Sequence, residues 1–252
     1  MMPEILVDNL SHTFGKGSES ALTVLEGIDL KFESGSFNTI IGTSGCGKST
    51  LLKMMAGLFD PSDGEMTLDG SVIQGTDRRR GMVFQQDAVF PWMTVAKNIS
   101  YGPRLRGASR ADQREIEAKW TEAVGLKGFE DRWPRELSGG MRKRVDIGRV
   151  YANDPDVLLM DEPFGALDAQ TKERMQSDLL KTWSETKKTV VFVTHDIEEA
   201  IFLSDKIVVL SARPGRVHHI EEVQLPRPRT DDMRLTDEFL EIKRRLWAML
   251  DH

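Results

Sequence analysis

The chain has 252 residues, 39% of them hydrophobic, with 34 Lys and Arg against 40 Asp and Glu, a net charge of −6 and one cysteine. That length and apolar content support the core of one large domain, or of a domain with an inserted subdomain, and exclude a disordered chain or a small cross-linked scaffold. The acidic balance supplies no global positive field toward nucleic acid or anionic lipid, a single cysteine forbids an internal disulfide, and every apolar run falls far short of the roughly 20 residues a membrane-spanning helix requires.

Along the chain, short β-rich runs alternate with helical patterns, the rhythm of an α/β domain with a mainly parallel sheet. Residues 5–9 and 25–32 are expected as the first strands. A third, residues 39–41, leads directly into Gly42-Thr43-Ser44-Gly45-Cys46-Gly47-Lys48-Ser49-Thr50. This segment fits G-x-x-x-x-G-K-[ST], and a β-run before it and a helical run over residues 51–56 after it supply the context the pattern requires. The glycines let the backbone wrap so that successive N–H groups point at phosphate oxygens, with the positive end of the helix behind them. Lys48 is expected to neutralise β- and γ-phosphate charge, and Ser49 to offer its hydroxyl to Mg²⁺. The competing account is a glycine-rich turn that merely contains Lys-Ser. Cys46 is a small spacer whose modification by a bulky thiol reagent is expected to block nucleotide binding.

Between residues 87 and 153 the β-type runs thin out and a helical insertion is expected. Ser109 and Asp112 form a capping-box signal, and Ile116, Trp120 and Val124 recur every fourth residue on one helical face. The next expected strand, residues 157–160, runs into Asp161-Glu162-Pro163. Two carboxylates thus lie just past the carboxyl end of a buried strand, where open α/β sheets bind ligands. An aspartate there can hold the Mg²⁺ shell while the adjacent glutamate polarises an attacking water; a solvated acidic turn is the plainer account. Residues 190–193 repeat the arrangement and end in Thr194-His195-Asp196, which brings to the same edge a histidine able to contact a γ-phosphate. Past residue 225, Pro226-Arg227-Pro228-Arg229 breaks regular structure. Leu235, Phe239, Ile242, Leu246 and Met249 then trace an amphipathic final helix, which either closes over the core or serves as a regulatory or partner contact.

With these residues in place, nearly the whole chain resembles the nucleotide-binding subunit of ABC transporters. Leu137-Ser138-Gly139-Gly140-Met141 resembles the signature that separates this family from other phosphate-loop ATPases. A serine and two glycines opening a helix make a second anion cradle of hydroxyl and N–H donors. Gln85 is similar to the family's glutamine-loop residue, Ala166-Leu167-Asp168 resembles the D-loop, and Phe14 stands where the family places an aromatic that stacks on adenine, core packing being its other use. The resemblance implies a RecA-like P-loop NTPase core over residues 1–86 and 154–225, with a mainly parallel sheet and an N-terminal antiparallel β part. It also implies an inserted helical subdomain over residues 87–153 and a terminal amphipathic helix over 226–252. By the same resemblance Glu162, His195, Gln85 and Lys48 carry ATP hydrolysis, and Ser49, Gln85 and Asp161 hold Mg²⁺. Gly42, Thr43, Ser44, Gly45, Cys46, Gly47, Lys48, Ser49, Thr50, Phe14, Ser138, Gly139, Gly140 and Asp168 bind the nucleotide.

The resemblance further implies a head-to-tail homodimer, each ATP lying between one phosphate loop and the other copy's signature. Two transmembrane permease subunits and, indirectly, an extracytoplasmic solute-binding protein complete the partners, with no nucleic acid and with the chain peripheral at the cytoplasmic face of the inner membrane. Phe90-Pro91-Trp92-Met93-Thr94-Val95 and Ser211-Ala212-Arg213-Pro214-Gly215-Arg216 resemble segments of the importer group handling nitrate, sulfonates, taurine and related small molecules. Asp146 and Gly148 depart from the family, which more often has alanine at both. Asp146 is expected either to pair with Arg142 or Arg149 at the surface or, facing the core, to reduce activity. The competing functions are a soluble ABC ATPase not coupled to transport and a nucleotide-dependent switch. One cysteine and no extended heptads argue against the first, Glu162 and His195 against the second. One cysteine and no signal-like N-terminus point to a reducing cytoplasm.

Overall fold

The structure is a computed structural model that describes residues 3–18, 20–165 and 167–250. Two sheets organise it. Strands β1 (Ile5–Phe14), β2 (Leu22–Phe32), β4 (Asp63–Leu68) and β5 (Ser71–Val72) form an antiparallel sheet in the order β2-β1-β4-β5. The second sheet combines β3 (Phe37–Gly42), β6 (Arg80–Val83), β7 (Val157–Asp161), β8 (Thr189–Val193), β9 (Lys206–Leu210) and β10 (Val217–Glu222) in the order β10-β9-β3-β8-β7-β6. Its pairings are parallel except for β10 against β9.

The strands β3, β7 and β8 are buried along their whole length, because both faces of the parallel sheet are covered. Alternation then splits the core: Val157 and Leu159 of β7 face the cluster around helix α1 (Lys48–Met55) and the antiparallel sheet, whereas Leu158 and Met160 face the helices on the other side. All five expected strands are present. Five further strands are not among those expected, and four of them carry weak patterns for physical reasons: β4 opens with exposed Asp63-Gly64-Glu65, β5 has two residues, β6 buries only Val83, and β10 buries only Glu221. The fifth, β9, is a plain aliphatic run, buried from Ile207 to Leu210, that is missing from the expected strands.

Residues 95–152 hold four helices, α2 (Val95–Ile99), α3 (Tyr101–Leu105), α4 (Arg110–Ala123) and α5 (Gly139–Ala152). Ser109 and Asp112 close the reciprocal capping box of α4, whose Trp120 and the following Val124 are buried, with Ile116 half-buried beside them. Helices α6 (Ala169–Thr186), α7 (Ile197–Leu203) and α8 (Asp237–Leu250) cover the remaining face. Phe239, Ile242 and Leu246 are buried on that core, where truncation of such side chains costs ~2–5 kcal/mol each, so α8 is firmly seated. Leu235 departs from the expected stripe. It ends a separate 3₁₀ turn, Asp231–Leu235, before the helix begins, and it is 81% exposed. None of the described helices is long and apolar enough to cross a membrane.

Asp146 is also placed differently from a surface pair. It is fully buried on α5, bonded through Oδ1 to Arg149 at 2.7 Å, with Lys143 at 3.9 Å, and its Oδ2 has no hydrogen-bond partner. Burial raises its carboxyl above the ordinary aspartate range, with Arg149 and Lys143 opposing the shift.

Candidate active site

Strand β3 ends at Gly42 and α1 starts at Lys48, so residues 43–47 must reverse the chain at the carboxyl edge of the parallel sheet. Gly47 caps α1 at φ 97°, a conformation natural to glycine. Gly42 is pressed between the loop and β9: a Cβ there would lie 2.6 Å from Cys46 Sγ and 2.7 Å from the Leu210 carbonyl. Cys46 packs behind the loop with no exposure, so a thiol reagent reaches it only if the loop opens. The exposed crest is Thr43, Ser44 and Gly45. Lys48 is buried, and its ammonium donates to the Gly42 carbonyl at 2.8 Å and the Thr43 carbonyl at 3.1 Å.

Opposite the loop, β7 delivers Asp161 and Glu162. The Ser49 hydroxyl donates to Asp161 Oδ1 at 2.8 Å. Burial raises the Asp161 carboxyl above its ordinary range, while the Ser49 bond pulls it down. Glu162 adopts φ 41°, in the left-handed region, and its N–H donates to the Val193 carbonyl of β8 at 2.9 Å. A non-glycine residue held there is strained, and such strain clusters at functional sites. Its Oε2 accepts from Gln85 Nε2 at 3.3 Å and lies 3.2 Å from His195 Nδ1. Three residues from three different sheet strands or strand ends therefore meet at one oxygen.

His195 is steadied from behind. Asp196 caps α7 by accepting from the N–H groups of Glu198 and Glu199, and Lys172 of α6 donates to its carboxylate at 2.6 Å. Burial alone would raise the Asp196 carboxyl, yet the Lys172 and backbone hydrogen bonds outweigh it and hold the group below its ordinary range.

These elements enclose a cavity of about 460 Å³ lined by Phe14, Leu22, Val24, Ser44, Gly45, Gly47, Lys48, Ser49, Thr50, Gln85, Glu162 and His195. Phe14 is 45% exposed and stands edge-on to His12 at 4.6 Å. Leu22 and Val24 are the wall residues that sequence reasoning missed; the only signal was an exposed apolar residue at the start of a strand. Gly42 and Thr43 instead line a neighbouring cavity of about 200 Å³ with His195, Ile197 and the end of α8. Ser138, Gly139, Gly140 and Asp168 do not line the first cavity. Ser138 caps α5 by accepting from the Met141 N–H, leaving Ser138 and Gly139 exposed. Asp168 caps α6 by accepting from the Thr171 N–H, a bond that lowers its carboxyl. Ala166 lies outside the described residues.

The donor set fits a small hard cation. Ser49, Asp161 and Gln85 offer one hydroxyl, one carboxylate and one amide oxygen, and among the described residues no group of three or more His, Cys, Asp or Glu could hold a metal unaided. A cation here must draw the rest of its shell from phosphate and water, as Mg²⁺ does.

A profile of the ABC transporter family matches residues 25–165. The aliphatic sulfonates import ATP-binding protein of Bacillus cereus is 45% identical over 242 residues, 96% of this chain and 94% of that protein. The taurine import ATP-binding protein of Roseobacter denitrificans is 44% identical over 225 residues, 89% of this chain and 83% of that protein. Among solved structures, a dimeric bacterial ABC transporter cassette superposes with a TM-score of 0.76 at 33% identity, covering 88% of this chain and 100% of the cassette. A dimeric post-hydrolysis state bound to ADP and Pi gives a TM-score of 0.75 at 32% identity with the same coverage.

Proposed function

This chain belongs to the ABC transporter family and is an ABC-type ATPase with the α/β P-loop fold, and from that premise we propose that it is the ATP-hydrolysing subunit of an importer for a sulfonate- or taurine-like small solute. In this reading two copies pair head to tail beneath two permease subunits, peripheral to the cytoplasmic face of the inner membrane, and an extracytoplasmic protein delivers the solute. The observation that carries it is the convergence of Gln85 and His195 on Glu162 Oε2, at the rim of a cavity floored by the phosphate loop.

The triphosphate lies along the N–H groups of residues 43–49, with Lys48 turning its ammonium from the Gly42 and Thr43 carbonyls toward the terminal phosphates. Ser49, Asp161 and Gln85 would hold Mg²⁺, which when bound would supply positive charge against the phosphoryl oxygens. Glu162 accepts the proton of the attacking water, Gln85 orients that water, and His195 contacts the γ-phosphate. Phe14 stacks on adenine. The exposed Ser138 and Gly139 and the half-buried Gly140 close the site of the other copy, as does Asp168, which accounts for their place outside this chain's own cavity. ATP held between two copies favours the closed pair; its hydrolysis removes that differential affinity and lets the pair reopen, which the permease converts into alternating access.

The test is Glu162→Gln in the full chain. We expect retained MgATP binding, an ATP-dependent dimer by sedimentation, and turnover lowered about 100- to 10,000-fold, the usual worth of a general base. Turnover within threefold of the parent would show that another group accepts the proton.

A further inference from the structure

The turn between β9 and β10, Ser211-Ala212-Arg213-Pro214-Gly215-Arg216, has no part in the chemistry above, yet it is built against the phosphate loop. The Ser211 N–H donates to the Arg216 carbonyl at 3.0 Å, and the Arg216 N–H donates to Ser211 Oγ at 3.1 Å, closing the turn on itself. Its tip is then bonded to β2: the Gly215 N–H donates to the Val24 carbonyl at 2.8 Å, and the Glu26 N–H donates to the Gly215 carbonyl at 3.0 Å. A 2.8 Å ion pair between Arg216 and Glu26 adds a side-chain tie to the same strand.

The turn also presses on the loop. A Cβ at Gly215 would lie 2.0 Å from the Cys46 carbonyl oxygen, so only glycine permits this approach. Arg213 lies over Gly45, a wall of the nucleotide cavity: its Nη2 and Nε are 3.3 Å and 3.6 Å from where a Gly45 Cβ would stand. Unlike Arg216, the exposed Arg213 has no hydrogen-bond or ion-pair partner among the described residues. A guanidinium aimed at solvent needs no such scaffold. One pinned by a bonded turn against the crest of an anion-binding loop adds fixed positive potential where the polyphosphate charge gathers.

We propose that Arg213 is a positioning residue for the nucleotide's polyphosphate, acting through its charge on the 44–46 arc of the loop, with the 211–216 turn holding it there. This rests on the reading of the cavity as the nucleotide site. It makes the turn a device for polyphosphate affinity, separate from Phe14, which serves the base.

The full chain and the series R213K, R213Q and R213E are titrated calorimetrically with MgATP, MgADP and adenosine at low and high salt, with K48A as reference. ATP affinity is expected to fall in the order Arg, Lys, Gln, Glu, with Gln about 3- to 10-fold weaker than Arg at low salt and the spread shrinking at high salt. Adenosine affinity stays level, and KM for ATP rises while kcat holds. A purely structural role would weaken adenosine and ATP alike, and equal ATP affinities across the series, or equal losses for both ligands, overturn the proposal. If one variant fails to fold, the order among the remaining charges decides. K48A distinguishes the two levels: parent-like ATP binding by K48A refutes the nucleotide site itself, whereas lost binding in K48A with a flat Arg213 series refutes only the role of Arg213.

Discussion

Replacing Gly47 by alanine tests the architecture of the phosphate loop with a single methyl group. Gly47 sits at φ 97°, and an added Cβ would lie 2.6 Å from Leu25 Cδ2, 3.0 Å from Leu25 Cγ and 3.1 Å from Val24 Cγ1. Leu25 has no exposure, so it cannot swing aside into solvent. The left-handed conformation costs an L-residue about 1–2 kcal/mol and a forced methyl in a packed region about 1–3 kcal/mol, together roughly 2–5 kcal/mol. Where the loop shifts to relieve the contact, the cost reappears as lost affinity, about 30- to several-thousandfold in the Kd for MgATP. Where it holds its shape, the cost appears as a lower melting temperature without nucleotide. Calorimetric titration and thermal melting together capture both routes. Gly17→Ala is the control: its φ is 91°, but nothing lies within 4 Å of the added Cβ, and it is outside the cavity. It is expected to lower stability by about 1–2 kcal/mol and leave ATP affinity unchanged. An alanine at position 47 that alters neither affinity nor melting temperature would refute the packing of this loop against β2.

Phe14→Ala is expected to weaken ATP and adenosine equally, by about 5- to 30-fold if stacking contributes ~1–2 kcal/mol, read by the same titrations; a change confined to ATP would contradict a base-stacking role. Asp146→Asn tests the buried carboxylate. Because burial raises the folded-state pKa of Asp146 above its unfolded value, the folded chain takes up this proton first, so stability from this group is present at low pH and lost as pH rises through the folded pKa. The stability of the parent relative to the Asn variant should therefore increase as pH falls from neutral, by at most about 1.4 kcal/mol per pH unit, measured by denaturant unfolding; a difference that shrinks on acidification would mean the Arg149 pair outweighs burial.

What the sequence disclosed follows from which features are local. The phosphate loop, Asp161-Glu162 and Thr194-His195 each sit at the end of a short aliphatic run, so neighbouring residues alone point to the sheet edge where the structure gathers them. The meeting of Gln85 and His195 on one oxygen of Glu162 spans separations of 77 and 33 residues and depends on the order of β6, β7 and β8 in the sheet. No spacing rule supplies that order. Leu22 and Val24 entered the cavity wall unannounced because an exposed apolar residue on an edge strand has no pattern of its own. Leu235 completed a helical stripe on paper, but Thr236 ends the 3₁₀ turn in extended conformation and α8 starts at Asp237, which leaves Leu235 in solvent. Asp146 could pair with Arg149 from helical spacing alone, yet its burial depends on the way α5 packs, which a single helix cannot reveal.

The claim that each active site joins the phosphate loop of one copy to the signature of another is tested most directly by mixing two disabled chains, Lys48→Ala and Ser138→Arg. Each alone should hydrolyse ATP at background rate. In a head-to-tail pair of one of each, the Ser138→Arg chain supplies an intact Lys48 and the Lys48→Ala chain an intact Ser138, so one of the two sites is whole. An equal mixture, half of it mixed pairs, should then recover about a quarter of the parent turnover if the sites act independently. No recovery from two chains that each melt like the parent, or full activity of Ser138→Arg as a monomer, would contradict the shared site.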